Sequence, residues 1–256
     1  MKKSFSITLL FLCIGLFSCK DSIDKPNVDV QKIKGENILV ENEIHNNPEI
    51  DKFIEPYKTS IEDEMNKVLS YSPQSMFKND TPYNTAIGNM MADAIFELAN
   101  PVFQKRYKES LDGVLINHGG IRAGINEGEI TTRTAYNIMP FENMVVIAKL
   151  KGEYILEMFD YLSRSKKAHP ISNMTIEVDE DWNLVSYTIN GEKVNKEKTY
   201  YISTSDFLVN GGDNMNFFQK ADTIYQIDYK MRNLFIDYFD KNDTIKATSD
   251  DRFKKL

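Results

Sequence analysis

Apolar residues spaced three and four positions apart predict four helices in this chain. The second covers residues 84–98, and Asn84 is its predicted N-terminal cap, because an asparagine side chain can accept a hydrogen bond from a free backbone N–H of the first turn. The third and fourth are predicted over residues 152–163 and 229–239. The first is predicted over about residues 56–70 from the apolar positions Phe53, Tyr57, Ile61, Met65 and Val68.

Short apolar or alternating segments predict strands. Residues 113–117 and 144–150 are short, mainly apolar segments, as in buried strands. Residues 175–178, 186–190 and 198–204 alternate like half-buried strands, and Asn190-Gly191 is typical of a hairpin turn. Strands and helices are mixed without a strict β-α-β alternation. We therefore predict one compact domain of the α+β (mixed α/β) class over residues 47–240, with a C-terminal tail at 241–256.

The first residues have the parts of a secretory signal. Lys2 and Lys3 precede an apolar run from Phe5 to Phe17, and Ser18 is a small residue at the cut site. The run has about 13 residues, whereas a stable transmembrane helix takes roughly 20. The sequence Leu-Phe-Ser-Cys at 16–19 resembles the lipobox of bacterial lipoproteins, so we expect removal of residues 1–18 and lipidation of Cys19. The alternative is an ordinary signal peptide whose cysteine is incidental.

Composition narrows the classes of protein. The chain has 31 Lys and Arg against 38 Asp and Glu, and this acidic balance argues against nonspecific nucleic-acid binding. Its two cysteines, Cys13 and Cys19, both lie near the start, so the mature chain can form no internal disulfide. Residues 19–46 are expected to be a polar linker from the lipid. We thus expect an exported protein, held only by its lipid at the periplasmic or cell-surface face of the outer membrane.

Three segments that follow or precede predicted strands carry residues suited to a flat, polar ligand. They are residues 117–122 (NHGGIR), 139–143 (MPFEN) and 205–213 (SDFLVNGGD). Glycine pairs let the backbone approach a ligand closely, and an aromatic ring stacked on a base contributes roughly 1–3 kcal/mol. Arginine offers a planar fork for phosphate or carboxylate. Taken singly, each residue has a simpler interpretation: a core aromatic, a surface ion pair or a plain turn.

In their order and spacing, these segments resemble the C-terminal domain of the bacterial 5'-nucleotidase and UDP-sugar hydrolase family. That family has an N-x-G-G-I-R turn, a P-F-x-N strand start and an F-x-x-x-G-G-D loop. The resemblance extends to the G-x-I-T sequence at 128–131, the L-x-G at 150–152 and the G-N-x-x-A-D-A helix sequence at 88–94. It covers about residues 47–239, nearly the whole mature domain.

The resemblance implies a nucleotide or nucleoside pocket. Phe141 and Phe207 would sandwich the base, and Arg122 would face the phosphate. Asn117, Asn143 and Asp213 would contact base or ribose, and Gly120 and Gly212 belong to the same motifs. The alternative is a retained fold with a pocket that no longer binds. The family usually has further arginines just before the helix at residue 84, whereas this chain has FKNDTPY at 77–83, and segment 165–171 lacks the family's glycines. Phosphate binding is therefore less strongly implied than base binding.

The motifs expected for catalysis are absent from the sequence. In full-length members, an N-terminal metallophosphoesterase domain with two metal ions carries D-x-H, G-D-x-x-D, G-N-H-[DE] and G-H-x-H motifs, and none occurs here. His45, His118 and His169 are isolated, and no G-x-S-x-G motif is present. We therefore expect no catalytic residue and no cofactor in this chain, which alone would be inactive, with divalent metals only in a catalytic partner.

Three functions remain open at this stage. In the first, the lipoprotein binds a nucleotide for a separately encoded metallophosphoesterase subunit, in extracytoplasmic nucleotide catabolism. In the second, it is a stand-alone nucleoside-binding lipoprotein without hydrolase activity. In the third, it is a hydrolase whose chemistry its motifs do not reveal. The first is favoured because an intact base clamp accompanies missing metal motifs.

Overall fold

The computed structural model describes residue 35 and residues 47–256, of which Glu49–Leu256 form one compact unit. The predicted signal peptide and, apart from residue 35, the predicted linker with Cys19 and His45 lie outside the described residues. The α-helices are α1 (Pro48–Met65), α2 (Ala86–Tyr107), α3 (Thr132–Ile138), α4 (Gly152–Ser165), α5 (Asp206–Val209) and α6 (Met231–Lys241). The strands are β1 (Val68–Ser72), β2 (Gly113–Leu115), β3 (Gly128–Thr131), β4 (Met144–Lys151), β5 (Ile171–Ser172), β6 (Met174–Val178), β7 (Leu184–Ile189), β8 (Glu192–Lys193), β9 (Thr199–Ser205), β10 (Thr223–Lys230) and β11 (Phe253–Lys255). Within this described part, no helix is long and apolar enough to cross a membrane.

A five-stranded mixed sheet forms the centre of the domain, in the order β10-β4-β9-β2-β5. Only β2 and β9 pair in parallel, and the other neighbours are antiparallel. A four-stranded sheet, β11-β6-β7-β8, and a β1-β3 pair complete the strand pairing. This mixture of helices and sheets confirms the predicted fold class.

Both faces of the central sheet are covered. Along β4, Val145 and Ile147 belong to a core shared with α2 and α6, while Ala148 and Leu150 belong to a core shared with α4. Side chains alternate between the faces of a strand, so a strand buried on both faces is apolar throughout, as β4 is from residue 145 to 148. This explains the continuous apolar run that predicted the strand.

The first two helices differ from their predicted bounds. Helix α1 ends at Met65, and Val68–Ser72 pairs with β3 instead of continuing the helix, so strand pairing overrides the helical spacing there. Helix α2 is capped by Thr85, whose side chain accepts a hydrogen bond from the Gly88 N–H at 3.2 Å. The prediction that Asn84 caps this helix is therefore wrong. The Asn84 side chain contacts the C-terminal segment instead.

The segment after α6 is not a tail. Its Thr244 bridges to Tyr71, and β11 pairs in parallel with β6 and buries Phe253. The Asn84 side-chain amide donates to the carbonyl oxygens of Asp250 and Phe253 at 2.8 and 3.0 Å. The boundary predicted at residue 240 is thus too early, because these contacts join residues between 77 and 173 positions apart, which no local sequence signal marks.

Candidate functional site

The three motif segments meet at one end of the central sheet. Strands β2 and β9 are parallel, so the segments that follow them begin at the same end of the sheet. Strand β4 runs antiparallel to β9, and its Val145 pairs with Ser205. The segment before β4 therefore lies at that end of the sheet as well. Together they form a cleft of about 290 Å3. Its lining residues are Asn117, Gly119, Gly120, Arg122, Phe141, Asn143, Phe207 and Asp213.

Seven of the eight predicted binding residues therefore line one cleft. The exception is Gly212, which lies behind the ring of Phe207: a Cβ atom at position 212 would be 2.4 Å from the Phe207 Cε1 atom. Only glycine leaves room for this ring. Gly119 lines the cleft although the motif analysis did not single it out.

The two phenylalanine rings of the cleft are exposed to solvent. Phe141 is 40 % exposed and Phe207 46 %, although both face a cleft whose lining is mainly apolar. Among the described residues, neither ring stacks on another aromatic side chain. Exposed aromatic rings that flank a cleft offer two faces for stacking a flat heterocycle.

A hydrogen bond joins two of the three segments. Asn117 Nδ2 donates to Asp213 Oδ2 at 2.6 Å, and Tyr161 Oη of α4 donates to the Asp213 carbonyl oxygen at 2.8 Å. Asp213 has a left-handed backbone with φ 51°, a conformation that Asp and Asn adopt more readily than most residues. These contacts hold the carboxylate at the cleft, where its other lone pairs can accept ligand hydroxyl groups.

Arg122 provides an unpaired cation at the cleft. Its backbone N–H donates to the Ile138 carbonyl at 2.9 Å, and its guanidinium carbon lies 5.7 Å from the centre of the Phe141 ring. No carboxylate of residues 47–256 pairs with this guanidinium. Its fork of N–H donors is therefore available to an anion.

Arg232 of α6 supports the segment that carries Phe141. Its Nη1 donates to the carbonyl oxygens of Pro140 and Phe141 at 3.2 and 3.4 Å, and its Nη2 pairs with Glu142. The guanidinium carbon also lies 4.1 Å from the centre of the Tyr136 ring. Sequence reasoning missed Arg232 because it lies about 90 positions after the residues that it holds, and no local motif marks it.

A second, mainly basic cleft of about 370 Å3 includes His118 of the turn at residues 118–120. Lys78, His118, Lys166 and Lys167 line it. His118 Nε2 lies 3.1 Å from both the Lys78 carbonyl oxygen and Asn79 Oδ1. Both are acceptors, so we assign the ring proton to Nε2. Burial lowers the pKa of His118, which favours the neutral ring.

His169 lies beneath this turn. It is only 2 % exposed, and its Nδ1 accepts a hydrogen bond from the His118 backbone N–H at 3.2 Å. Burial lowers the pKa of His169 to about 4, so the ring is neutral at physiological pH. It supports the turn from within the core. In residues 47–256, no three His, Cys, Asp or Glu side chains come together in an arrangement that could hold a metal ion.

Comparisons with known proteins agree with this geometry. Residues 67–220 match the family described as 5'-nucleotidase, C-terminal domain. The chain is 25 % identical over 238 residues to the trifunctional nucleotide phosphoesterase protein YfkN of Bacillus subtilis, an alignment that covers 81 % of this chain and 15 % of YfkN. It is 29 % identical over 205 residues to the cell wall protein Lmo0130 of Listeria monocytogenes, covering 71 % of this chain and 26 % of Lmo0130. The chain thus spans less than a third of either relative.

The fold is also similar to that of solved structures. The 5'-nucleotidase precursor from Thermus thermophilus superposes with a TM-score of 0.67 at 21 % identity, covering 80 % of this chain and 43 % of that chain. At this identity the likeness concerns the fold alone. The family match itself covers more than half of the chain and includes all three segments of the cleft. The chain belongs to the 5'-nucleotidase C-terminal domain family.

Proposed function

We propose that this protein is the nucleotide-recognition half of an exported 5'-nucleotidase. It would bind the base and ribose, and a separately encoded metallophosphoesterase subunit would hydrolyse the phosphate ester. The observation that carries this proposal is the pair of exposed rings, Phe141 and Phe207, that flank a cleft with an unpaired arginine. The metal-binding motifs of full-length members are absent from the sequence.

The groups around the cleft match the chemistry of a nucleotide. The base would stack between the two rings, and each stacked face contributes roughly 1–3 kcal/mol. Asn143 can donate to and accept from ring nitrogens, and Asp213 can accept from ribose hydroxyls. Arg122 beside the Phe141 ring would face the first phosphate.

The basic cleft favours a nucleotide over a nucleoside. Its lysines Lys78, Lys166 and Lys167 share this cleft with His118 of the turn at residues 118–120. His118 lines the basic cleft, and its chain neighbours Asn117 and Gly119 line the cleft with the two phenylalanine rings, so the two clefts are adjacent. A phosphate bound near Arg122 would gain from this positive potential.

The predicted lipid anchor indicates where in the cell the protein would act. Export and lipidation at Cys19 would hold the domain at a membrane surface outside the cytoplasm, and the relative Lmo0130 is named a cell wall protein. A partner tethered at the same surface would gain effective concentration without any new contact. Mass spectrometry of the protein purified from its native membrane checks this point. A mature chain that begins with a diacylated Cys19 is expected, and an unmodified N-terminus beyond residue 19 would contradict it.

Calorimetry and a phosphate-release assay test the central proposal. The purified protein should bind AMP, should release no phosphate from it with Mg²⁺, Mn²⁺ or Zn²⁺, and should support release once a metallophosphoesterase subunit from the same organism is added. Absence of binding to AMP, GMP, CMP and UMP would refute nucleotide recognition. Metal-dependent release by the pure chain would show instead that it is a hydrolase by itself.

The second candidate is a stand-alone nucleoside-binding lipoprotein. It is supported by segment 77–83, which lacks the arginines that the family usually places there. This function predicts that adenosine binds at least as tightly as AMP, and that no partner confers hydrolysis. AMP binding that exceeds adenosine binding and weakens with salt would favour the enzyme half, because phosphate contacts are screened by ions.

A further inference from the structure

Helix α1 presents an apolar face that the rest of the described chain does not cover. None of its 18 residues is buried, and all except Asp51 and Met65 are exposed. Phe53 is 71 % exposed and Tyr57 63 %, and their ring centres are 6.0 Å apart. The exposed apolar residues at helical spacing are Ile50, Phe53, Ile54, Tyr57 and Ile61.

This face is large for a protein without a partner on it. Five such side chains on one helix expose several hundred Å2, and contiguous apolar patches of roughly 300–600 Å2 on monomers are often functional. Most helical stability in proteins comes from packing of the apolar face rather than from intrinsic propensity. Helix α1 therefore has the apolar face of a helix that packs against a partner, but no described residue covers that face.

The charges on α1 indicate what kind of surface covers it. The helix carries six carboxylates and two lysines, so a second copy of this chain would bring two acidic helices together. Like charges at a contact cost free energy, whereas a partner with Lys and Arg around an apolar groove would match both features. The carboxylates of α1 are Glu49, Asp51, Glu55, Glu62, Asp63 and Glu64.

The attachment of α1 connects it to the nucleotide cleft. Glu62 pairs with Arg133 at 2.5 Å, and Asn66 Oδ1 accepts from the same guanidinium at 3.4 Å. Arg133 lies in the first turn of α3, and the chain passes from the end of α3 directly into the segment that carries Phe141. A protein bound to α1 is therefore held by the same part of the domain that forms one wall of the cleft.

We propose that α1 is the docking helix for the metallophosphoesterase subunit, which receives the apolar face in a groove bordered by basic side chains. This inference rests on the proposed function, because it names the surface through which the recognition half binds its catalytic partner. The contact joins two separate chains, so it must supply enough binding free energy by itself, and the aromatic residues Phe53 and Tyr57 are its expected anchors.

A photo-crosslinking amino acid at position 53 of the full chain, in the native organism, tests which molecule covers α1. Irradiation is expected to join position 53 to a protein that carries the D-x-H and G-N-H-[DE] motifs, identified by mass spectrometry. The matched control is position 185 on β7, where Val185 is 54 % exposed and lies outside α1; it should give no such product. A crosslink from position 53 to a second copy of this chain, to lipid alone or to no protein would overturn the proposal.

Substitution tests the energetics of the same contact. In the purified pair, Phe53→Ser together with Tyr57→Ser should weaken association at least about tenfold, since aromatic anchors dominate interface free energy. The control Val185→Ser removes a similarly exposed apolar side chain and should change the dissociation constant less than twofold. Equal affinities for the double variant and the control would refute docking through α1.

AMP binding by the isolated chain separates this inference from the proposed function. The double variant should bind AMP as the unmodified protein does, because α1 lies outside the cleft. If the unmodified protein binds AMP and its complex with the subunit is unaffected by the double variant, only the docking surface is wrong. If the unmodified protein binds no nucleotide, the proposed function fails first.

Discussion

Phe141 and Phe207 come from segments about 65 residues apart, yet they are exposed to a similar degree on one cleft. Different contacts position the two rings. The close approach of Gly212 positions Phe207, and the hydrogen bonds from Arg232 to the carbonyls of Pro140 and Phe141 position the other. Motif analysis found the rings and the glycine because they lie within short segments. It did not find the arginine, whose role depends on how α6 packs.

Removal of one ring should weaken nucleotide binding while leaving the fold intact. Phe207→Ala should raise the dissociation constant of AMP by the equivalent of roughly 1–3 kcal/mol, since one stacking face is lost. Isothermal calorimetry measures this, and Phe53→Ala is the matched control because it truncates an exposed ring outside the cleft. If Phe207→Ala and Phe141→Ala both bind AMP like the control, the sandwich is wrong.

Arg232 should act on binding through the position of Phe141. Arg232→Met removes two hydrogen bonds to carbonyl oxygens, so we expect a loss of about 1–3 kcal/mol in the free energy of unfolding and weaker AMP binding. Urea denaturation and calorimetry measure the two effects. Glu142→Gln is the control: Glu142 is exposed, and the carbonyl contacts of Arg232 remain. Binding by Arg232→Met equal to that of the control would exclude the positioning role.

At the scale of elements, the sequence predicted those helices and turns that are specified by residues close together in the chain. Helix α4 begins at Gly152 as predicted, and Asn190-Gly191 forms the turn between β7 and β8 with φ of 55° and 73°. Strands β1, β3, β5, β8, β10 and β11 were not predicted. Strand β11 has three residues, and its place depends on β6, about 77 residues earlier in the chain.

Two neighbouring residues at the start of α2 allow a comparison of cap and anchor. Thr85→Ala should lower the free energy of unfolding by about 1 kcal/mol through loss of the cap. Asn84→Ala should cost more, roughly 2–3 kcal/mol, because two carbonyl oxygens and the Asp250 N–H lose their partner. Chemical denaturation of both variants measures the difference. Equal losses would mean that Asn84 does not anchor the C-terminal segment.

At the scale of the whole molecule, stability should depend on pH through His169. Burial lowers its pKa from 6.5 to about 4, so between these values the unfolded chain binds a proton that the folded protein does not. The free energy of unfolding is therefore unaffected by this group above about pH 6.5, and it decreases as the pH drops from 6.5 toward 4. Between pH 7 and 5 the loss is on the order of 2 kcal/mol.

Urea midpoints at pH 7 and pH 5 measure this dependence. His169→Gln should have a markedly smaller difference between the two pH values than the unmodified protein. His118→Gln is the control: the His118 ring is only partly buried, whereas His169 is 2 % exposed, so most of the dependence should remain. An unchanged difference in His169→Gln would assign the effect to other groups. Glu142 is no alternative, because its pKa is lowered from 4.5 to about 2, and the stability that it contributes is lost only as the pH falls below about 4.5.

The amino-acid sequence by itself determined the fold class, the family and the residues that the cleft brings together. These follow from hydrophobic spacing and from motifs of a few residues, both of which are local. Only the tertiary structure decided that residues 244–256 complete the domain, that Arg232 supports the Phe141 segment, that His169 is buried and that the apolar face of α1 is uncovered. Each depends on which distant residues pack together. Spacing along the chain predicts that a helix has an apolar face, and the packed structure shows whether that face is buried.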